Sequence, residues 1–150
     1  MKKFLFAILI VLTTQSFAQK HVPYLSIGPQ FSVSPKYRAA SYSIEGGTWG
    51  MDSKTSLGAF LSYTPLFKLY TVGIKPYYTI QQSKKEMIML YAAPQYVLQP
   101  GGLFVMEEGL FVGYNISKNY IGGLVLGAQH TKGVNFSPQV GINLVYLFQK

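Results

Sequence analysis

From residue 24 to the C-terminus, the sequence alternates bulky apolar residues with small or polar ones at a period of two. Over residues 24–34, Leu25, Ile27, Pro29, Phe31 and Val33 oppose Ser26, Gly28, Gln30, Ser32 and Ser34. Over 55–63, Leu57, Ala59, Leu61 and Tyr63 oppose Ser56, Gly58, Phe60 and Ser62. Over 138–148, Val140, Ile142, Leu144, Tyr146 and Phe148 oppose Gln139, Gly141 and Asn143, before Val145 and Leu147 blur the pattern. Successive strand side chains point to opposite faces, so each segment predicts a β-strand with one bulky face and one slim face.

Extending the pattern gives eight strands, over 24–34, 40–51, 54–64, 66–80, 86–98, 103–116, 120–130 and 137–148. The fifth is the least regular, because 87–93 is apolar on both faces. Turn chemistry separates the strands: Pro35-Lys36, Asp52-Ser53, Thr64-Pro65, Ser83-Lys84, Gln99-Pro100-Gly101-Gly102, Ser117-Lys118-Asn119 and Lys132-Gly133-Val134-Asn135. After the first nineteen residues no segment carries a sustained helical period. None approaches 18 consecutive apolar residues either, which excludes a transmembrane helix. Glycines 28, 58, 73, 113, 127 and 141 sit inside strands. Glycine weakens a flat strand, so their number predicts tight curvature or a crowded concave face.

Eight strands joined by short turns describe an up-and-down meander, and a meander must cover or close its edges. Eight strands close into a barrel just wide enough to be filled by side chains. The expected fold is therefore all-β, a single antiparallel up-and-down barrel. Two kinds of barrel share this alternation. A secreted or periplasmic carrier turns its bulky face inward around an apolar small molecule. A membrane barrel turns that face outward to lipid, in strands of ~9–11 residues.

Composition favours the second. Only 12% of the residues are charged, most of them at predicted turns. A soluble barrel would then expose a face of Ser, Gly, Gln, Asn and Thr, short of the charge that solvates soluble proteins. Aromatic residues also gather near predicted strand ends. Tyr24, Trp49, Tyr77, Tyr78, Tyr120, Tyr146 and Phe148 lie toward one rim, and Tyr63, Tyr96, Phe104 and Phe136 toward the other. That distribution fits girdles at the two membrane interfaces.

The first eighteen residues read as a cleaved export signal. Lys2 and Lys3 precede nine apolar residues, 4–12, and Ser16-Phe17-Ala18 places small residues at the −3 and −1 positions of a cleavage site. Nine apolar residues are about half of the ~20 that a membrane span needs. The expected organisation is a signal peptide over 1–18 and a barrel over 19–150. With no Cys in the chain, disulfides, thiolate metal sites, a Cys nucleophile and a Cys-linked lipid anchor are excluded.

The chain closes on Val140-Gly141-Ile142-Asn143-Leu144-Val145-Tyr146-Leu147-Phe148, followed by Gln149-Lys150. This ending resembles the C-terminal β-signal of bacterial outer-membrane barrels, with Tyr146 and Phe148 in its aromatic and hydrophobic slots. Together with the export signal and eight strands, the chain resembles the small outer-membrane barrels of the OmpX and OmpA-barrel type. The resemblance implies a Gram-negative outer-membrane location and a monomer. It implies contact with outer-membrane lipid and lipopolysaccharide, and recognition of the ending by the barrel-assembly machinery. The role it implies is structural, surface-interacting or porin-like minor permeation. Those barrels carry long external loops, whereas every connection here is short.

If the slim face is internal, Glu45, Lys75, Glu107, Asn115, Gln129 and Asn143 project into the lumen. A charge in a narrow lumen is costly unless paired, so Lys75 is expected to pair with Glu45, Glu107 or both. Such a cluster serves either as a gate or as a plug, and narrow barrels favour the plug. Glu108 falls on the bulky face and is expected at an interface.

No catalytic, cofactor or metal site is expected. His21 is near the start of the mature chain, and His130 reads as an exposed strand end. Small-barrel lipid A deacylases carry His-x-Ser, and Lys132 stands at the position of that Ser. No His has an acidic partner at metal-ligand spacing. The net charge of +8 is dispersed and includes one Arg, which argues against nucleic acid. Lys36, Arg38 and Lys132 are expected on the outer rim, facing anionic head groups.

Overall fold

A computed structural model describes residues 21–33, 38–99, 102–131 and 134–149. The export signal, Lys36 and Lys132 lie outside these residues. The strands are β1 (His21–Val33), β2 (Arg38–Gly50), β3 (Thr55–Thr64), β4 (Leu69–Gln82), β5 (Glu86–Leu98), β6 (Leu103–Asn115), β7 (Tyr120–Thr131) and β8 (Val134–Leu147). Each pairs antiparallel with the next, and β8 returns to β1, closing the barrel. Closure leaves no edge strand, as a sheet surrounded by hydrocarbon requires.

The alternation governs which way each side chain points. Leu57 (52% exposed), Leu61 (43%), Ile142 (62%) and Leu144 (43%) stand outside the wall, whereas Ser26, Ser56, Lys75 and Asn143 are buried within it. The bulky face is the outer face. In β5 the doubly apolar stretch resolves the same way: Met87, Met89, Tyr91 and Ala93 are buried inside while Leu90 and Ala92 are exposed.

Three strand starts lie three residues from where the sequence reading puts them; one is β8, which begins at Val134, inside the expected 132–135 turn. β4 begins at Leu69, because Pro65–Phe67 forms a 3-10 turn, with proline's fixed φ in its first turn, and Lys68 ends it at φ 51°. β1 begins at His21, since Val22 and Tyr24 both have interior places to fill.

Along its axis the interior changes character. At the end where β1 begins and β8 ends (the termini end of the described residues) it is apolar, with Val22, Trp49, Met87, Met89, Phe111, Ile121 and Leu147 packed together. The Trp49 and Phe111 rings meet edge to face with centroids 6.1 Å apart, a geometry aromatic pairs favour. The strand glycines make this packing possible. A Cβ on Gly123 or Gly113 would strike the Phe111 ring, one on Gly73 the Phe60 ring, and one on Gly58 the ends of Tyr24 and Glu45. The described connections are short: 51–54, 83–85 and 116–119 where β1 begins and β8 ends, and 65–68 opposite.

Candidate functional site

Above the apolar layer, three charged side chains meet. Glu45 of β2, Lys75 of β4 and Glu107 of β6 all point to the axis, and each is 3% exposed. The Lys75 Nζ lies 4.0 Å from Glu45 Oε2 and 3.8 Å from Glu107 Oε1. It also stands over the Tyr91 and Phe60 rings, 4.7 and 5.1 Å from their centroids, where the ring faces attract a cation.

Both carboxylates are held by neutral donors. The Tyr77 hydroxyl donates to Glu45 Oε1 and Oε2 at 2.9 and 3.0 Å, and the Tyr24 hydroxyl donates to Oε1. Glu107 accepts from the Tyr91 hydroxyl at 2.8 Å, from Gln95 Nε2 at 3.2 Å and from Gln30 Nε2 at 3.5 Å. Hydrogen bonding to the charged form offsets the desolvation that burial imposes. The three charges come from alternate strands, so no hairpin joins them and only closure of the barrel brings them together.

The other lumen candidates are placed differently. Asn143 is buried, and its Oδ1 has no hydrogen-bond partner among the described residues. Gln129 is half-buried near the loop end, where its Oε1 accepts from Gln139 Nε2 at 2.7 Å. Asn115 is not part of the interior cluster. It ends β6, and its side chain donates to the Lys84 carbonyl at 3.0 Å, tying two turns together beside the termini.

The proposed girdle divides. Tyr78, Tyr96 and Tyr120 are exposed on the outer wall. Tyr63 stacks on Tyr70 at 4.7 Å, and Tyr146 packs against Tyr120 and Phe148 at 5.0 and 4.8 Å. Tyr24 and Trp49 must be removed from the girdle, because both are buried inside the barrel. Tyr24 shares the face of Ser26 and Gln30, and Trp49 shares the face of Glu45, so strand parity turns them inward despite their height near a rim. Tyr77 turns inward with Lys75 for the same reason. The sequence reading missed Tyr91, Gln30 and Gln95 as carboxylate partners, although each lies on its strand's inner face.

Among the described residues, no three His, Asp or Glu side chains gather as metal ligands. Nor does any protein-family model or curated protein match the sequence. Solved structures do match the fold. The N-terminal β-barrel domain of Pseudomonas aeruginosa OprF is 10% identical over 86% of this chain and 100% of its own, with a TM-score of 0.63. Neisserial surface protein A is 12% identical over 85% of this chain and 97% of its own, at 0.58. The crystal structure of Yersinia pestis Ail is 8% identical over 87% of this chain and 99% of its own, at 0.52.

The fold is that of a small outer-membrane β-barrel. At these identities the likeness is one of fold. A de novo designed transmembrane barrel matches as well, 12% identical over 84% of this chain with a TM-score of 0.58. The architecture is thus reached by sequences only 8–12% identical to this one.

Proposed function

We propose that the chain is an integral outer-membrane barrel whose interior is a fixed plug. It serves the envelope as a structural element without enzymatic activity. The observation that carries this reading is the direction of the bulky face: Leu57, Leu61, Ile142 and Leu144 look outward, where water would solvate them poorly and hydrocarbon would not. A carrier of apolar molecules would need that face around a cavity. Here the lumen is filled by Trp49, Phe111 and the Glu45–Lys75–Glu107 tier instead. With the termini inside the cell envelope, the outward connections span two to four residues, which leaves little chain for surface recognition. Tyr146 and Phe148 are assigned to the barrel-assembly machinery, and the rim to lipid head groups.

Membrane fractionation tests this. The protein is expected in the outer-membrane pellet after carbonate or urea washing, and it is expected to migrate differently on gels with and without heating. Planar bilayers holding it are expected to stay silent. Recovery in the soluble fraction, with no gel shift, would favour the carrier.

A further inference from the structure

Glu108 and His130 take no part in the plugged interior. Both stand on the outer wall, Glu108 Oε1 lying 3.1 Å from His130 Nε2, with side chains 62% and 45% exposed. His130 is exposed next to the end of β7, as the sequence suggested, and it is paired as well. Glu108 is the sixth residue of β6, and its neighbours across the two ladders are Ala92 and Ala128. On a lipid-facing wall this carboxylate looks into acyl chains, where ionisable side chains are costly and mark binding paths.

Beside it the wall is hollowed. A recess of about 600 Å³ is lined by Pro76, Tyr78, Leu90, Ala92 and Leu110, with Glu108 at one end. The ladder behind it is interrupted. The β4–β5 register runs to Gly73↔Gln95 and resumes at Tyr77↔Tyr91, and both Pro76 and Pro94 fall in the gap. Proline has no N–H to give a ladder, and Ala92 adds little bulk in front of it. The volume is in the range of small-molecule sites, which are mostly apolar with a few placed polar groups.

The polarity has a direction. Tyr78, Leu90 and Leu110 lie toward the termini end of Glu108, and His130 lies toward the loop end. That is the profile of an acyl chain with a hydrogen-bond donor near its head. An ionised carboxylate is acceptor-only with about four lone-pair sites, and His130 satisfies one of them. Plain hydrocarbon offers no donor at this depth, and neither do the ester linkages of a phospholipid.

We propose that this recess binds one chain of an N-acylated, hydroxyacyl glycolipid of the lipopolysaccharide type. The chain lies against Tyr78, Leu90 and Leu110, and its amide N–H or hydroxyl donates to Glu108. The inference rests on the outer-membrane reading above. It differs from head-group contact at the rim, because it concerns a donor beneath the sugar.

Native mass spectrometry of the refolded full chain tests it. The protein is extracted from phosphatidylcholine vesicles containing lipid A, phosphatidylethanolamine or neither, and retained lipids are counted. One lipid A is expected per barrel. Glu108→Ala and Ala92→Trp, which fills the recess, should each lower retention about tenfold, the loss of one hydrogen bond to a charged group or of the chain's seat. Ile142→Trp, on another part of the wall, should not. Equal retention by all variants, preference for phosphatidylethanolamine, or a cross-linked pair of barrels at this wall that lipid A does not disperse would overturn the proposal. Failure of the outer-membrane reading is seen separately, as an unheated wild-type chain that shows no gel shift whatever its lipid count.

Discussion

Lys75 faces Glu107 across the barrel interior with its Nζ 3.8 Å from Oε1, and Glu45 approaches the same ammonium from the other side at 4.0 Å. One cation thus stands between two carboxylates from strands that never pair. The tier ties β2, β4 and β6 together across the axis, where the hydrogen-bonded wall alone ties only neighbours.

Removing the cation leaves two buried carboxylates facing each other. Lys75→Met should destabilise the folded barrel by about 3–5 kcal/mol in urea titrations from lipid vesicles, the cost of an uncompensated buried charge. The triple variant Glu45→Gln, Lys75→Met, Glu107→Gln should lose clearly less. A triple variant as unstable as Lys75→Met would mean that packing, rather than charge, dominates the tier.

The glycine–aromatic contacts make a second prediction. Gly123→Ala puts a methyl group into the Phe111 ring, and should cost about 1–3 kcal/mol by overpacking. Adding Phe111→Leu should recover part of that loss, so the two changes couple in a double-mutant cycle. Simple additivity would show that the ring does not lean on this glycine.

How much of this was legible in the sequence follows from which period carried it. The eight strands, the closed barrel and the outward turn of Leu57, Leu61, Ile142 and Leu144 all follow from alternation, which operates residue by residue; the layer of Trp49, Met89 and Phe111 on the inner face does not. The misassignment of Tyr24 and Trp49 came from judging height along the strand while ignoring parity. Glu45 and Trp49 are four residues apart on one strand and must share a face. The carboxylates' tyrosine and glutamine partners were harder to find, since Glu107 and Gln30 are 77 residues apart and meet only across a closed lumen. Glu108 and His130 were closer to hand. They are diagonal neighbours on adjacent strands, joined by the short 116–119 turn that sets their register. The 3-10 turn at Pro65–Phe67 was hidden because Leu66 and Phe67 read as strand residues.

Depth on the outer wall sets the third prediction. Leu57→Arg or Ile142→Arg should cost about 2–4 kcal/mol of folding stability in vesicles, whereas Leu66→Arg, in the turn at the loop end, should cost about 0–1 kcal/mol. Equal small effects at all three positions would mean that water, and not lipid, meets the wall.

The C-terminal residues should matter to assembly more than to stability. Phe148 lies past the end of β8, half-exposed, where its backbone N–H donates to the Pro23 carbonyl at 2.9 Å. Tyr146→Ala with Phe148→Ala should lower the amount reaching the outer membrane in cells several-fold. The same variant, refolded in vitro, should keep its gel shift.

The direction of the bulky face is read most directly by nitroxide probes. The chain has no Cys, so single cysteines at positions 57, 61, 142 and 144 can be labelled cleanly in the refolded barrel in vesicles. The account predicts frequent collisions with oxygen dissolved in the acyl chains and few with a water-soluble nickel complex at all four positions. Labels shielded from both, or reached by nickel in preference to oxygen, would place these side chains inside the barrel or in water and contradict it.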